Sequence, residues 1–83
     1  MEKRLIGLYV PAVRERFDLL VPMDLEIAAL TAQLASGVEE LCAGRYTPSH
    51  QEMLSLRHPD MLLHPQMMLA DYGIENGAQL VLM

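Results

Sequence analysis

The sequence predicts an α+β fold, and three observations carry the prediction. β-prone, partly alternating stretches lie toward both ends of the chain, one central stretch repeats its apolar residues at helical spacing, and Pro, Gly and Asn turn signals separate them. The resulting order is strand, strand, helix, strand, short strand, strand, with no internal repeat and no low-complexity segment. Residues 1–83 are therefore read as a single domain. A chain of 83 residues buries about 60 to 65% of its unfolded surface, enough for one small core.

Lys3 to Val10 (KRLIGLYV) is the first strand, with Ile6, Leu8 and Val10 read as inward and Leu5 and Tyr9 as outward. The reversed register is the alternative. Pro11 ends the strand, and the cluster Arg14-Glu15-Arg16 reads as a solvated turn. Phe17 to Val21 is the second strand of a hairpin, with Phe17, Leu19 and Val21 inward and Asp18 and Leu20 outward. Pro22-Met23-Asp24 breaks it, and the Asp24 carboxylate is suited to cap the N–H groups of a following helix. Ile27, Leu30, Leu34, Val38 and Leu41 fall at steps of three and four, one stripe of a helix that covers the sheet. Gly37 weakens the last turns by roughly 1 kcal/mol relative to alanine. The helix is expected to end near Ser36 or to continue to Cys42, with Gly44 in the left-handed position beyond it.

Arg45 to Gln51 is a polar loop around Thr47-Pro48-Ser49, and Glu52 to His58 reads as a third strand with Leu54 and Leu56 inward. Pro59-Asp60 signals a turn, Met61-Leu62-Leu63 a very short strand, and His64-Pro65 a second break. The stretch LADYGIENGAQLVLM from Leu69 closes the chain. Asn76-Gly77 is a tight-turn dipeptide needing positive φ, and Gln79 to Met83 is the last strand, with Leu80 and Leu82 on one face and Val81 and Met83 on the other.

A net charge of −5, with six Lys and Arg residues scattered along the chain, lacks the basic footprint of a nucleic-acid binder. The longest apolar run is broken at Pro11 and falls far short of the roughly 20 residues that span a bilayer. The one cysteine, Cys42, excludes an intramolecular disulfide, and the amino terminus lacks the pattern of a secretory signal, so the expected compartment is the cytoplasm. Cys42 itself reads as a small core residue. His50, His58 and His64 lack metal-ligand spacing and read as loop residues. Asp71 and the Glu39-Glu40 pair have no accompanying base, nucleophile or phosphate loop, so no catalytic residue, cofactor or metal is expected. Among the seven methionines, Met67 and Met68 read as core filler, whereas Met83 points outward with Val81.

Leu69-Ala70-Asp71-Tyr72-Gly73-Ile74, followed by Leu80-Val81-Leu82, resembles the closing segment of ubiquitin, and the alternation of Phe17 to Val21 resembles the family's second strand. The resemblance to the ubiquitin-like β-grasp superfamily covers nearly the whole chain. It implies a mixed sheet of order 2-1-5-3-4 on one long helix, topology ββαββ, with Leu69, Ile74, Leu80 and Leu82 in the core and the Tyr72 hydroxyl bracing a loop. The run Arg16 to Pro22, the helix with Leu30 and Leu34, and Gly73-Ile74-Glu75-Asn76-Gly77 are similar to the YukD/EsaB group of type VII secretion systems and to the cytosolic domain of EccD membrane subunits. The absence of membrane spans favours the free-standing YukD/EsaB form.

Two departures bear on function. The sequence stops at Met83 without the diglycine that conjugated modifiers and sulfur carriers activate, and Lys3 is its only lysine. The resemblance therefore implies a non-conjugated adaptor that binds protein partners, such as the cytosolic parts of secretion-system membrane proteins, without chemistry, nucleic acid or membrane insertion. Its expected binding face is the outer surface of the sheet, carrying Leu5, Tyr9, Leu20, Val81 and Met83. Ser55 stands at the centre, where ubiquitin has an isoleucine. A homodimer through this face is the alternative occupant. The alternative functions are a small ubiquitin-like subunit of a multicomponent enzyme complex and, further off, a modifier or sulfur carrier.

Overall fold

The computed structural model describes residues 2–58 and 60–83. An amino-terminal hairpin pairs β1 (Lys3–Val10) with β2 (Glu15–Pro22) in antiparallel register, Val10 opposite Glu15 and Lys3 opposite Pro22. The turn is Pro11 to Arg14, with Arg14 at φ 56°. The N–H groups of Val13 and Arg14 turn back onto the carbonyls of Val10 and Pro11, both at 3.2 Å. The expected turn at Arg14-Glu15-Arg16 is thus corrected: this tight loop closes early, leaving Glu15 and Arg16 to pair with Val10 and Tyr9.

Helix α1 runs from Ile27 to Leu41, the longer of the two expected ends. Asp24 is not its cap. Glu26 occupies the N-cap position without a side-chain bond, and the first free N–H groups are satisfied from across the chain. Ile27 donates to the Met67 carbonyl at 2.8 Å and Ala28 to that of Pro65 at 2.9 Å, so backbone from a distant loop does what a capping carboxylate would have done. At the other end Ala43 donates to the Glu40 carbonyl at 3.3 Å and Gly44 to that of Glu39 at 3.4 Å. That pairing is a Schellman motif with Ala43, not Gly44, in the C′ position, at φ 50°.

β3 (Leu54–Arg57), β4 (Met61–Leu62) and β5 (Gln79–Leu82) complete a sheet of order β2-β1-β5-β3-β4, the order the resemblance implies. Of the Pro59-Asp60 turn, Pro59 lies outside the described residues. The central pair is parallel, Leu8 beside Leu80, and β5 pairs antiparallel with β3, Leu54 opposite Leu82. Parallel neighbours cannot be joined by a tight turn, and β2, α1, β3 and β4 all lie between β1 and β5 in the chain.

A 3₁₀ turn over Leu69–Tyr72, which the sequence pattern did not announce, precedes β5. The Asp71 carboxylate accepts the Met68 N–H at 2.8 Å, and Gly73 ends the turn at φ 64°. Beyond it, Gly77 takes φ 89°, as the Asn76-Gly77 signal requires.

The core lies between α1 and the inner sheet face. Ile6, Leu8, Val10, Leu54, Leu80 and Leu82 from the sheet meet Ile27, Leu30, Leu34 and Val38 from the helix, with Leu69 and Ile74 closing one end. This settles the register of β1 with Leu5 and Tyr9 outward. Leu41 departs from the expected stripe at 60% exposed, and the helical positions that complete the buried face are Thr31 and Ala35. Thr31 satisfies its hydroxyl on the Ile27 carbonyl at 2.6 Å. Met67 is exposed rather than filler, Met68 is half-buried, and Met23 is the methionine that the core buries among the described residues.

Candidate functional site

Strand alternation and the observed registers place one row of side chains across the outer face of the sheet. Arg16 faces Tyr9, Tyr9 lies beside Val81, Val81 faces Ser55, and Ser55 faces Leu62, so one residue from each strand contributes. Met83 follows Val81 on the same face, and its N–H and carbonyl both bond to Met53. Tyr9, Ser55, Leu62, Val81 and Met83 line a groove of about 430 Å³, with Pro11 at one end and Arg57 and Asp60 at the other. Arg57 and Asp60 form an ion pair at 3.4 Å, so the rim carries both signs of charge.

Four of the expected residues, Tyr9, Ser55, Val81 and Met83, meet in this groove. Met83 is 64% exposed, whereas Val81, expected to be exposed, is buried at 5%. It lies at the floor, between Tyr9 on β1 and Ser55 on β3. The other two expected residues lie apart. Leu5 and Leu20 are cross-strand partners, and Leu20 is 66% exposed. Between them and the groove runs a polar row, Asp18, Gly7, Gln79 and Arg57. The Gln79 amide lies over Gly7, where a Cβ would come within 2.9 Å of its oxygen. Leu62, 55% exposed, and its neighbour Met61 are exposed apolar groove residues that sequence reasoning missed. The signal for Leu62 was present: with Leu63 inward, alternation turns Leu62 out.

Several polar side chains elsewhere have structural partners. The Tyr72 hydroxyl accepts the His64 N–H at 2.9 Å, the loop brace that the resemblance implies. The His64 imidazole accepts the Gln66 N–H at 3.1 Å through Nδ1. Cys42 is buried with its Sγ 3.8 Å from a Glu15 carboxylate oxygen that also takes Arg45. In the loop before β3, buried Tyr46 donates to Glu52 at 2.8 Å, and Glu52 accepts the Ser49 N–H at 2.7 Å. Burial, and then the hydrogen bond to the Glu52 carboxylate, pushes the Tyr46 hydroxyl up to about 12. Burial acts to raise Glu52 as well, but the hydrogen bonds from the Ser49 N–H and the Tyr46 hydroxyl outweigh it and hold the carboxyl below its ordinary value. Among the described residues no three His, Cys, Asp or Glu side chains converge as metal ligands, and no helix is long and apolar enough to cross a membrane.

Sheet order, the single crossing helix and the 3₁₀ turn before β5 define the ubiquitin-like β-grasp fold. Solved structures agree. The EccD5 ubiquitin-like domain from Mycobacterium xenopi superimposes with a TM-score of 0.81 at 13% identity, covering 100% of this chain and 94% of that one. The ubiquitin-like domain of the Mycobacterium tuberculosis type VII secretion system protein EccD1 gives 0.73 at 16% identity, covering 100% and 99%. Ubiquitin from Caldiarchaeum subterraneum gives 0.72 at 15% identity, covering 98% and 91%. No protein-family model matches the sequence, and no curated protein does.

Proposed function

We propose that this chain is a cytoplasmic ubiquitin-like adaptor of a type VII secretion system, of the YukD/EsaB kind, which binds a protein partner through the outer-face groove and performs no chemistry. The observation that carries the reading is the row Tyr9, Val81, Ser55 and Leu62 with Met83 beside it: a largely apolar groove with Val81 buried at its floor and Leu62 and Met83 exposed at its walls. Such a groove suits an apolar side chain or short segment of another protein, and adaptable thioethers such as Met83 accommodate its shape. The secretion assignment draws on the two EccD domains, one of them from a type VII secretion system protein, that share the fold over the whole of this chain. The cytosolic part of a secretion-system membrane protein is accordingly the partner class.

The test is capture of that partner class by Leu62→Asp and Met83→Asp. Both side chains are exposed, so the circular dichroism should stay unchanged while affinity falls by about tenfold or more. Leu20→Asp separates the two apolar areas. Binding unchanged in the groove variants but lost in Leu20→Asp would move the interface to the Leu5–Leu20 pair and overturn the groove reading. Val81→Asp is unsuitable, because it would bury a carboxylate in the groove floor.

A further inference from the structure

Among the described residues β2 forms one edge of the sheet, with β1 as its one neighbouring strand. The hydrogen-bond alternation is fixed by the Met23 N–H, which donates to the Glu2 carbonyl at 3.1 Å, and by the Gly7 N–H, which turns the other way to Ala78 at 2.9 Å. In an antiparallel ladder this makes Val21, Leu19, Phe17 and Glu15 the residues bonded to β1. The backbone N–H and C=O groups of Arg16, Asp18 and Leu20 therefore face the open edge.

Exposed edges are commonly guarded by charge, since a row of like charges repels a second strand. The edge-facing residues of β2, Arg16, Asp18 and Leu20, carry one charge of each sign. Arg16 and Asp18 are exposed, two residues apart on the same face, and the ion pairs among the described residues use neither.

We infer that the β2 edge is a self-association surface, on which two copies of this chain pair antiparallel about a twofold axis at Phe17. Only registers that oppose edge-facing residues can form the ladder, and the side chains choose among them. An axis at Asp18 sets two carboxylates face to face. One at Leu19 opposes Asp18 to Leu20 and brings Pro22, which has no N–H, against an edge-facing Arg16. The axis at Phe17 sets Arg16 of each copy against Asp18 of the other, twice. It also leaves Pro22 beyond the paired segment. Phe17 then meets Phe17 of the second copy in the closer, non-hydrogen-bonded type of pair, on the face where Phe17 and Leu19 are only half-buried against the core. The sheet becomes continuous through both copies. No β2 residue lines the groove, so this surface does not depend on it.

Sedimentation equilibrium of the intact chain up to about 1 mM tests the proposal. The unsubstituted protein should shift from monomer to dimer with concentration. Arg16→Asp makes both cross-pairs acidic, and Asp18→Arg makes both basic, so each variant alone should self-associate about tenfold or more weakly. An equimolar mixture of the two variants should recover the dimer, because each acidic edge then faces a basic one. A monomer at every concentration, a dimer unaffected by both substitutions, or a mixture that does not recover overturns the inference.

Discussion

The Tyr46 hydroxyl donates to a Glu52 carboxylate oxygen at 2.8 Å, tying the start of the loop after α1 to its end just before β3. The same carboxylate takes the Ser49 N–H, so one anion organises the loop. Tyr46→Phe removes a hydrogen bond to a charged acceptor and should cost about 1.5 to 3 kcal/mol by urea denaturation. The pH dependence has two limbs. Glu52 is held below its ordinary 4.5, so its contribution is present above that value and is lost as pH falls through the folded-state value. Tyr46 is pushed from 10.0 up to about 12, so its contribution is complete below pH 10 and is lost as pH rises toward 12. Tyr46→Phe should flatten the alkaline limb of the stability profile, and a variant that kept the full decline between pH 10 and 12 would place its origin elsewhere.

Ala43 stands at φ 50°, one residue before Gly44 at φ 88°. A β-carbon in the left-handed region is strained, and glycine relieves that strain. Ala43→Gly should therefore stabilise the protein by about 1 kcal/mol, and Gly44→Ala should destabilise it by a similar amount, although no heavy atom lies close enough to Gly44 to clash. Equal and opposite shifts in melting temperature would identify backbone strain as the cause.

The fold was legible because its core follows period. Leu80 and Leu82, Ile6 and Leu8, and Ile27 through Val38 fall where strand and helix spacing put them, and each is buried. What failed to show in the sequence depended on contacts between distant segments. The helix N-terminus borrows carbonyls from Met67 and Pro65, so the Asp24 signal was a false one. Helical spacing also extends Leu41 onto a stripe whose sheet contact ends before it. At the candidate site, alternation identifies the face of every strand. It does not reveal that Gln79 folds across Gly7 and separates Leu5 and Leu20 from the groove, because that depends on which rows the β1–β5 register aligns.

Leu41 and Leu34 separate periodicity from burial. Both lie on the same apparent stripe, yet Leu34 is in the core and Leu41 is on the surface beside Leu20 and Gly37. Leu34→Ala removes buried methyl groups and should cost about 2 to 5 kcal/mol. Leu41→Ala should stay within about 0.5 kcal/mol, as surface substitutions do. A large loss at Leu41 would mean that its side chain is covered in solution.

Asn76 is the side chain that docks the final turn onto the hairpin. Its Oδ1 accepts the Leu5 N–H at 2.8 Å, while Gly77 donates to the Leu5 carbonyl at the same distance, so this turn extends the β1–β5 pairing by one step. Asn76→Ala leaves the Leu5 N–H to water and should cost about 1 kcal/mol. Asn76→Asp keeps the acceptor and should recover most of that loss. Amide hydrogen exchange gives a local reading, with faster exchange expected at Leu5 in Asn76→Ala and protection restored in Asn76→Asp. Unchanged exchange at Leu5 in the alanine variant would show that the N–H is held without the side chain.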